Sequence, residues 1–209
     1  MSFCVKICGL ANEQDILETI RLKPDALGFI FWPKSPRAVR AEKIAEWTRD
    51  QVPEGMRKVG VFVNASADEI KRTVETAGLD VIQLHGEESA DLAKSLDMPI
   101  WKVLHLDRLH DGWDCFPAER YLIDSGTVEM PGGTGVHVDT FRAKEFVRKS
   151  KLPVMLAGGL KAGTVGDVIK VVRPAGVDVS SGVEQSPGKK NMQAVSDFIR
   201  NAREASLTL

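Results

Sequence analysis

A chain of 209 residues, 43% of them hydrophobic, is long enough for one well-buried domain spanning 1–209 and leaves little room for a second. A formal charge of -1 gives no sign of broad nucleic-acid binding. No apolar run approaches the ~20 residues of a membrane span, and no signal peptide opens the chain. The three cysteines have no metal-ligand spacing, so free thiols in a reducing cytoplasm are expected.

The first apolar run, at 3–8, reads as a strand that ends on Cys8 before Gly9. A helix is expected over Asn12–Leu22, where a polar cap precedes Ile16, Leu17 and Ile20 at helical spacing. Strand 26–31 leads into the proline-stiffened loop Pro33-Lys34-Ser35-Pro36-Arg37, followed by a helical pattern at Ala41–Trp47. Strand 57–63 precedes Ser66–Ala77, where Ser66 and Glu69 form a capping-box pattern. Strands 80–84 and 100–104 come next. The stretch Asp107–Glu119 is then broken by Gly112 and Pro117, so the fifth helix should be short or irregular. Strand 120–123 runs into Asp124, and the glycine-bearing segment Ser125–Gly135 is long for a connection of this kind, as a lid would be. Helix Thr140–Ser150, strand 153–157 with Gly158-Gly159, helix Ala162–Val172, strand 176–179 with Ser180-Ser181-Gly182 and helix Asn191–Ala205 complete the pattern. Eight such units with right-handed crossovers predict an α/β fold, a compact (β/α)8 TIM barrel with every strand C-terminus at one mouth.

Alternation along the strands sorts the side chains. With Val5 and Ile7 toward the helices, Cys4, Lys6 and Cys8 point into the barrel. The same reasoning turns Gln83, His85, Leu122, Asp124, Asp178 and Ser180 inward. Polar groups thus gather where a purely structural core would place branched aliphatics.

Each of these residues has an ordinary reading as well as a chemical one. Cys8 is a small buried hydrophobe, or a thiol that nearby Lys6 biases toward thiolate. Asp124 is a turn former, or an acid at the base of a lid. Gly158, Gly159, Ser181 and Gly182 are turn residues, or backbone donors of an anion site in the loops after strands seven and eight. Arg37 is a solvated charge, or a fork aimed at a substrate carboxylate. Gln83 and His85 are satisfied polar residues of the mouth, or ligands, and Asp178 can pair with Lys6 across strands eight and one.

Several stretches, in order along the whole chain, resemble the phosphoribosylanthranilate isomerase family of tryptophan biosynthesis. They are Lys6-Ile7-Cys8-Gly9-Leu10, Gly28-Phe29-Ile30-Phe31 with Pro33 to Arg37, Val59-Gly60-Val61-Phe62-Val63-Asn64, Gln83-Leu84-His85-Gly86-Glu87, Leu122-Ile123-Asp124, Leu156-Ala157-Gly158-Gly159-Leu160, and Asp178-Val179-Ser180-Ser181-Gly182-Val183-Glu184 with Pro187-Gly188-Lys189-Lys190. The Lys-Ile-Cys-Gly and Asp-Val-Ser-Ser-Gly-Val-Glu stretches are specific to that family, whereas a double-glycine loop is shared by many phosphate-binding barrels. The resemblance implies an Amadori rearrangement of a phosphosugar without metal or redox cofactor. It implies Asp124 as general acid, Cys8 as general base and Arg37 as the holder of the anthranilate carboxylate. Gly159, Ser181 and Gly182 fall in the matching phosphate loops; Gln83, His85, Gly158, Asp178 and Ser180, turned to the same mouth by their strands, are the further substrate-binding residues expected. Members occur as monomers and as dimers.

Three rival readings are separable. Another phosphosugar isomerase would pair two carboxylates, but strand one ends in Cys8. An indole-forming synthase would need lysine and glutamate at several strand ends, and Lys102 alone is not that set. A silent barrel binding a phosphorylated metabolite would keep the phosphate loops and have no need of both Cys8 and Asp124.

Overall fold

Alternating short apolar runs and capped polar-apolar stretches wind into a closed barrel of eight parallel strands in sequential order. The computed structural model describes residues 3–109, 112–124 and 139–209. The chain runs β1 (Cys4–Ile7), α1 (Glu13–Arg21), β2 (Ala26–Ile30), α2 (Ala41–Thr48), β3 (Arg57–Phe62), α3 (Ala67–Ala77), β4 (Val81–Leu84) and α4 (Ala90–Lys94). It continues through β5 (Ile100–His105), β6 (Arg120–Asp124), α5 (Thr140–Lys149), β7 (Val154–Ala157), α6 (Val165–Val172) and β8 (Gly176–Val179). A small antiparallel hairpin, β9 (Glu184–Ser186) and β10 (Lys189–Lys190), precedes α7 (Met192–Ser206). Among the described residues no helix is long and apolar enough to cross a membrane.

The helix starts follow the capping chemistry. The Asn12 side chain accepts from the Asp15 N–H at 2.9 Å, and Ser66 accepts from the Glu69 N–H at 3.3 Å. Helix α6 begins at Val165, three residues after the expected Ala162, because Lys161 to Thr164 form a turn first. Helix α4 was not expected: five residues are too few to show a period. Between β5 and β6 there are two 3-10 turns, Leu106–Arg108 and Trp113–Cys115, in place of a full helix. Trp113 still covers the barrel there, its ring 5.7 Å from Tyr121 and 4.4 Å from Phe146. The expected lid, Ser125–Gly135, lies outside the described residues.

Strand alternation divides the core in two. Val5, Ile7, Ile82, Leu84, Tyr121, Ile123, Val177 and Val179 pack toward the helices. Cys4, Ala26, Val59, Val81, Trp101, Val103, Leu122 and Met155 fill the barrel. At its base the Arg57 and Arg120 guanidinium carbons lie 5.5 and 4.6 Å from the centre of the Trp101 ring. Such contacts contribute on the order of 0.5–1 kcal/mol each, and here they close the N-terminal end. Lys102 faces the helix side, where it pairs with Glu88 at 2.7 Å.

Candidate active site

Ten of the eleven expected site residues line one cavity of about 180 Å³ at the C-terminal mouth: Cys8, Gln83, His85, Asp124, Gly158, Gly159, Asp178, Ser180, Ser181 and Gly182. Ile30, Val61, Val103 and Leu122 supply its apolar surface. The two groups with acid-base chemistry stand apart on the wall. Cys8 follows β1 and Asp124 ends β6, three strands away round the barrel through β8 and β7.

Cys8 is anchored by its N–H, which donates to the Val179 carbonyl at 2.8 Å. Space for its side chain comes from Gly28 on β2, where a Cβ would lie 2.7 Å from the Cys8 sulfur and 2.9 Å from Lys6 Cε. Lys6, on the same strand face, is fully buried and donates to Asp178 Oδ2 at 2.9 Å. Its stem and the Cys8 sulfur flank the same space at Gly28, so the ammonium charge acts on the thiol. Burial works against its charge, but the Asp178 carboxylate and the sulfur outweigh that and hold Lys6 above its ordinary value. The sequence led us to expect a low thiol at Cys8. The structure corrects this: burial pushes the thiol up, and Lys6 offsets only part of the rise while Asp178 adds to it.

His85 Nε2 lies 3.9 Å from Asp124 Oδ2, beyond direct hydrogen-bond distance. Burial lowers its pKa from 6.5; Asp124 opposes this and His105 reinforces it, so the imidazole is neutral near pH 7. Three polar atoms in the cavity wall, Gln83 Oε1, Asp178 Oδ1 and Ser180 Oγ, are buried and lack a hydrogen-bond partner among the described residues. Unmatched atoms of this kind suit a polyhydroxylated ligand, since leaving them unmade costs ~1–3 kcal/mol apiece.

The β7 and β8 loops meet closely. Gly158 and Gly159 both have positive φ, +80° and +64°, which turns successive backbone N–H groups in one direction. Gly182 is needed because a Cβ there would fall on the Leu160 carbonyl oxygen. Among the described residues, no group of three or more His, Cys, Asp or Glu is arranged to hold a metal ion.

Arg37, the eleventh residue, sits at the rim. Its Nε and Nη2 donate to Glu184 Oε1 and Oε2 at 2.8 and 2.6 Å. Lys190, buried, donates to Glu184 Oε1 at 3.0 Å and to the Ser180 carbonyl at 3.1 Å. Burial raises Glu184, but the hydrogen bonds from Arg37 and Lys190 outweigh it and hold the carboxyl below its ordinary value. Sequence reading did not single out Glu184 or Lys190. The available signal was their place just after the β8 loop, two charged residues flanking a Pro-Gly turn.

The family described as N-(5'-phosphoribosyl)anthranilate (PRA) isomerase matches residues 5–201. The N-(5'-phosphoribosyl)anthranilate isomerase of Pelobacter propionicus is 38% identical over 205 residues, covering 96% of this chain and 95% of that protein. A solved phosphoribosyl anthranilate isomerase in complex with reduced 1-(o-carboxyphenylamino)-1-deoxyribulose 5-phosphate superposes with a TM-score of 0.82 at 31% identity, covering 98% of this chain and 100% of the other. Monomeric forms of the dimeric Thermotoga maritima isomerase superpose at 0.81, also at 31% identity and with the same coverage. With the barrel, the polar mouth and the paired glycine loops, these likenesses establish that the chain belongs to the N-(5'-phosphoribosyl)anthranilate isomerase family.

Proposed function

We propose that this isomerase rearranges N-(5'-phosphoribosyl)anthranilate to 1-(2-carboxyphenylamino)-1-deoxyribulose 5-phosphate with Cys8 as general base and Asp124 as general acid. The observation that carries the reading is the placement of Cys8 and Asp124 on one cavity whose rear wall is the pair of glycine loops. The loops grip the phosphate and Arg37 takes the anthranilate carboxylate, so binding at both ends positions the sugar carbons between acid and base.

Asp124 gives its proton to the ring oxygen, the C1–O bond breaks, and a protonated Schiff base forms at C1. The Cys8 thiolate removes the C2 proton, and the released electron pair forms the C1=C2 bond of an enolamine. One proton then leaves the C2 hydroxyl and one arrives at C1, giving the ketone, while solvent reprotonates Asp124 and takes the proton from Cys8. A buried thiol is a thiolate in the minority, but the thiolate it forms is a stronger base. The Lys6 charge, on the same strand face as the sulfur, is the influence that favours that anion. Unpaired Asp178 Oδ1, Ser180 Oγ and Gln83 Oε1 receive sugar hydroxyls, with His85 beside them. The reading includes one barrel domain over 1–209, a cytoplasmic location, a small phosphosugar as partner, and action as a monomer or homodimer.

The direct test mixes freshly prepared substrate with wild type and with Cys8→Ala and follows the aryl-amine fluorescence. Loss in wild type alone supports the assignment. Equal rates remove Cys8 from the base role, and no loss with either protein, if phosphate ligands still bind, favours a silent phosphometabolite binder.

A further inference from the structure

We propose that Glu184 is the positioning residue of the carboxylate clamp: it fixes the direction in which Arg37 presents its guanidinium, and so sets selectivity for an ortho-carboxylated aryl amine. The inference rests on the reading of Arg37 as that clamp. The pair is unequal in exposure. The Glu184 side chain is 4% exposed and that of Arg37 19%, so the carboxylate is the buried anchor and the guanidinium is the open partner. The two bonds run from Nε and Nη2, which occupies one edge of the planar fork. Nη1 and the second Nη2 hydrogen remain for an incoming carboxylate, in the bidentate geometry that arginine favours.

Charge counting points the same way. Glu184 brings one negative charge against the two positive charges of Arg37 and Lys190. Glu184 Oε1 is shared between Arg37 and Lys190, so Arg37 has less than a full counter-charge of its own, and the other buried carboxylate here, Asp15, accepts from the Lys190 N–H at 2.7 Å. Position agrees as well. Gly9 has no side chain, and a Cβ there would lie 2.7 Å from Arg37 Cδ and 2.6 Å from Ser180 Oγ, so the arginine stem crosses the β1 loop beside the first residue of the β8 loop. The hairpin that carries Glu184 and Lys190 also braces the arginine loop. A Cβ on Gly188 would stand 3.4 Å from the Pro36 carbonyl oxygen, and the Gly188 carbonyl accepts from Asn12 Nδ2 at 3.3 Å. Lys190 joins Glu184 to the Ser180 carbonyl, so one buried carboxylate also relates the clamp to the phosphate loop. A guanidinium held this way keeps its aim without losing rotamer freedom on binding.

The test uses two ligands, reduced 1-(o-carboxyphenylamino)-1-deoxyribulose 5-phosphate and the same compound without its ring carboxyl. Calorimetry gives the affinity ratio for wild type, Arg37→Ala and Glu184→Gln. The Glu184→Gln variant should lower the ratio about tenfold while the carboxyl-free ligand binds within about twofold of wild type. If Arg37→Ala leaves the ratio intact, the clamp reading falls and this inference with it. If Arg37→Ala collapses the ratio and Glu184→Gln does not, this inference alone is overturned. Equal weakening of both ligands by Glu184→Gln would make Glu184 a support of the phosphate loop only, again overturning it. Should Glu184→Gln fail to fold with Lys190 left unpaired, Glu184→Gln/Lys190→Met replaces it. Wild type supplies a reading that needs no variant. Moving the ring carboxyl from ortho to meta should cost nearly as much affinity as deleting it, because a pinned guanidinium cannot follow; equal affinity for the two isomers means a free-swinging arginine and defeats the proposal.

Discussion

The Lys6 ammonium meets the Asp178 carboxylate at 2.9 Å across the seam where β8 joins β1, one inward-facing step below Cys8. The register places the two residues directly opposite each other, and Lys6 is fully buried. Two charges taken out of water give little net stability while paired, yet removing one leaves the other stranded. The pair is therefore a fixed local field for the thiol more than a source of stability.

Replacing Lys6 with Met should cost ~3–5 kcal/mol of unfolding free energy, because Asp178 is left charged and buried. Adding Asp178→Asn should recover part of that loss. Urea denaturation of the two variants checks the claim; a loss below about 1 kcal/mol for Lys6→Met would mean that water reaches Asp178.

The thiols should separate by reactivity. Cys115 is exposed, Cys4 is pushed up to about 11 by burial, and Cys8 is raised by burial with partial relief from Lys6. Iodoacetamide, followed by peptide mapping at pH 8, should therefore label Cys115 first and Cys4 last, with substrate protecting Cys8. A raised thiol keeps the thiolate scarce at neutral pH, so Cys8 labelling should increase from neutral toward alkaline pH. Cys8 labelling that stays flat across that range would contradict a raised thiol at the mouth.

Much of this site was legible before the structure because strand ends are local signals. A short apolar run followed by Cys8, Asp124 or a double glycine is visible in the chain, and alternation alone turns Lys6, Gln83 and Asp178 inward. What escaped the sequence depends on tertiary context. The rise of the Cys8 thiol comes from burial among neighbours far along the chain. The Arg37–Glu184 grip joins residues 147 positions apart. Helix α4 is too short for periodicity, and Trp113 reveals its packing only once Tyr121 and Phe146 stand beside it.

With Asp124 as the proposed general acid, Asp124→Asn would remove the proton for ring opening while keeping the side-chain shape. Turnover should fall by ~10²–10⁴, the usual contribution of a general acid. Affinity for the reduced product analogue should hold. A similar loss of binding would instead make Asp124 a ligand for the sugar.

Outside the site, Glu88 and Lys102 form a second buried pair at 2.7 Å. Burial raises the Glu88 carboxyl, but the Lys102 hydrogen bond, the Asn64 N–H and the Lys102 charge outweigh it and hold it below its ordinary 4.5. As pH falls, the unfolded chain therefore binds this proton first. The stabilisation is complete above about 4.5 and is lost as pH drops through the lower folded value. Glu88→Gln should destabilise the protein by ~3 kcal/mol at pH 7 and flatten the acid limb of a stability-against-pH curve. An unchanged limb would assign the acid sensitivity to other carboxyls held below their ordinary value, such as Glu119, hydrogen-bonded by Arg57, and Glu184.

The β7 and β8 loops, proposed to hold the phosphate, give the last prediction. A Cβ at Gly182 would fall on the Leu160 carbonyl oxygen and stand 3.3 Å from Val179 Cγ2. The first obstacle is backbone and cannot rotate away, so Gly182→Ala must push the β7 and β8 loops apart. Displacement of about 1 Å at a positioning group costs on the order of 10²-fold in rate. With the phosphate in these loops, remote from the reacting carbons, KM and kcat should both suffer, the remote binding energy no longer being available at C1 and C2. Ribulose 5-phosphate binding by calorimetry should weaken in step, while the pH dependence of Cys8 labelling, set by Lys6 and Asp178, stays where it was. Intact ribulose 5-phosphate binding in a folded Gly182→Ala protein would place the phosphate elsewhere on the mouth.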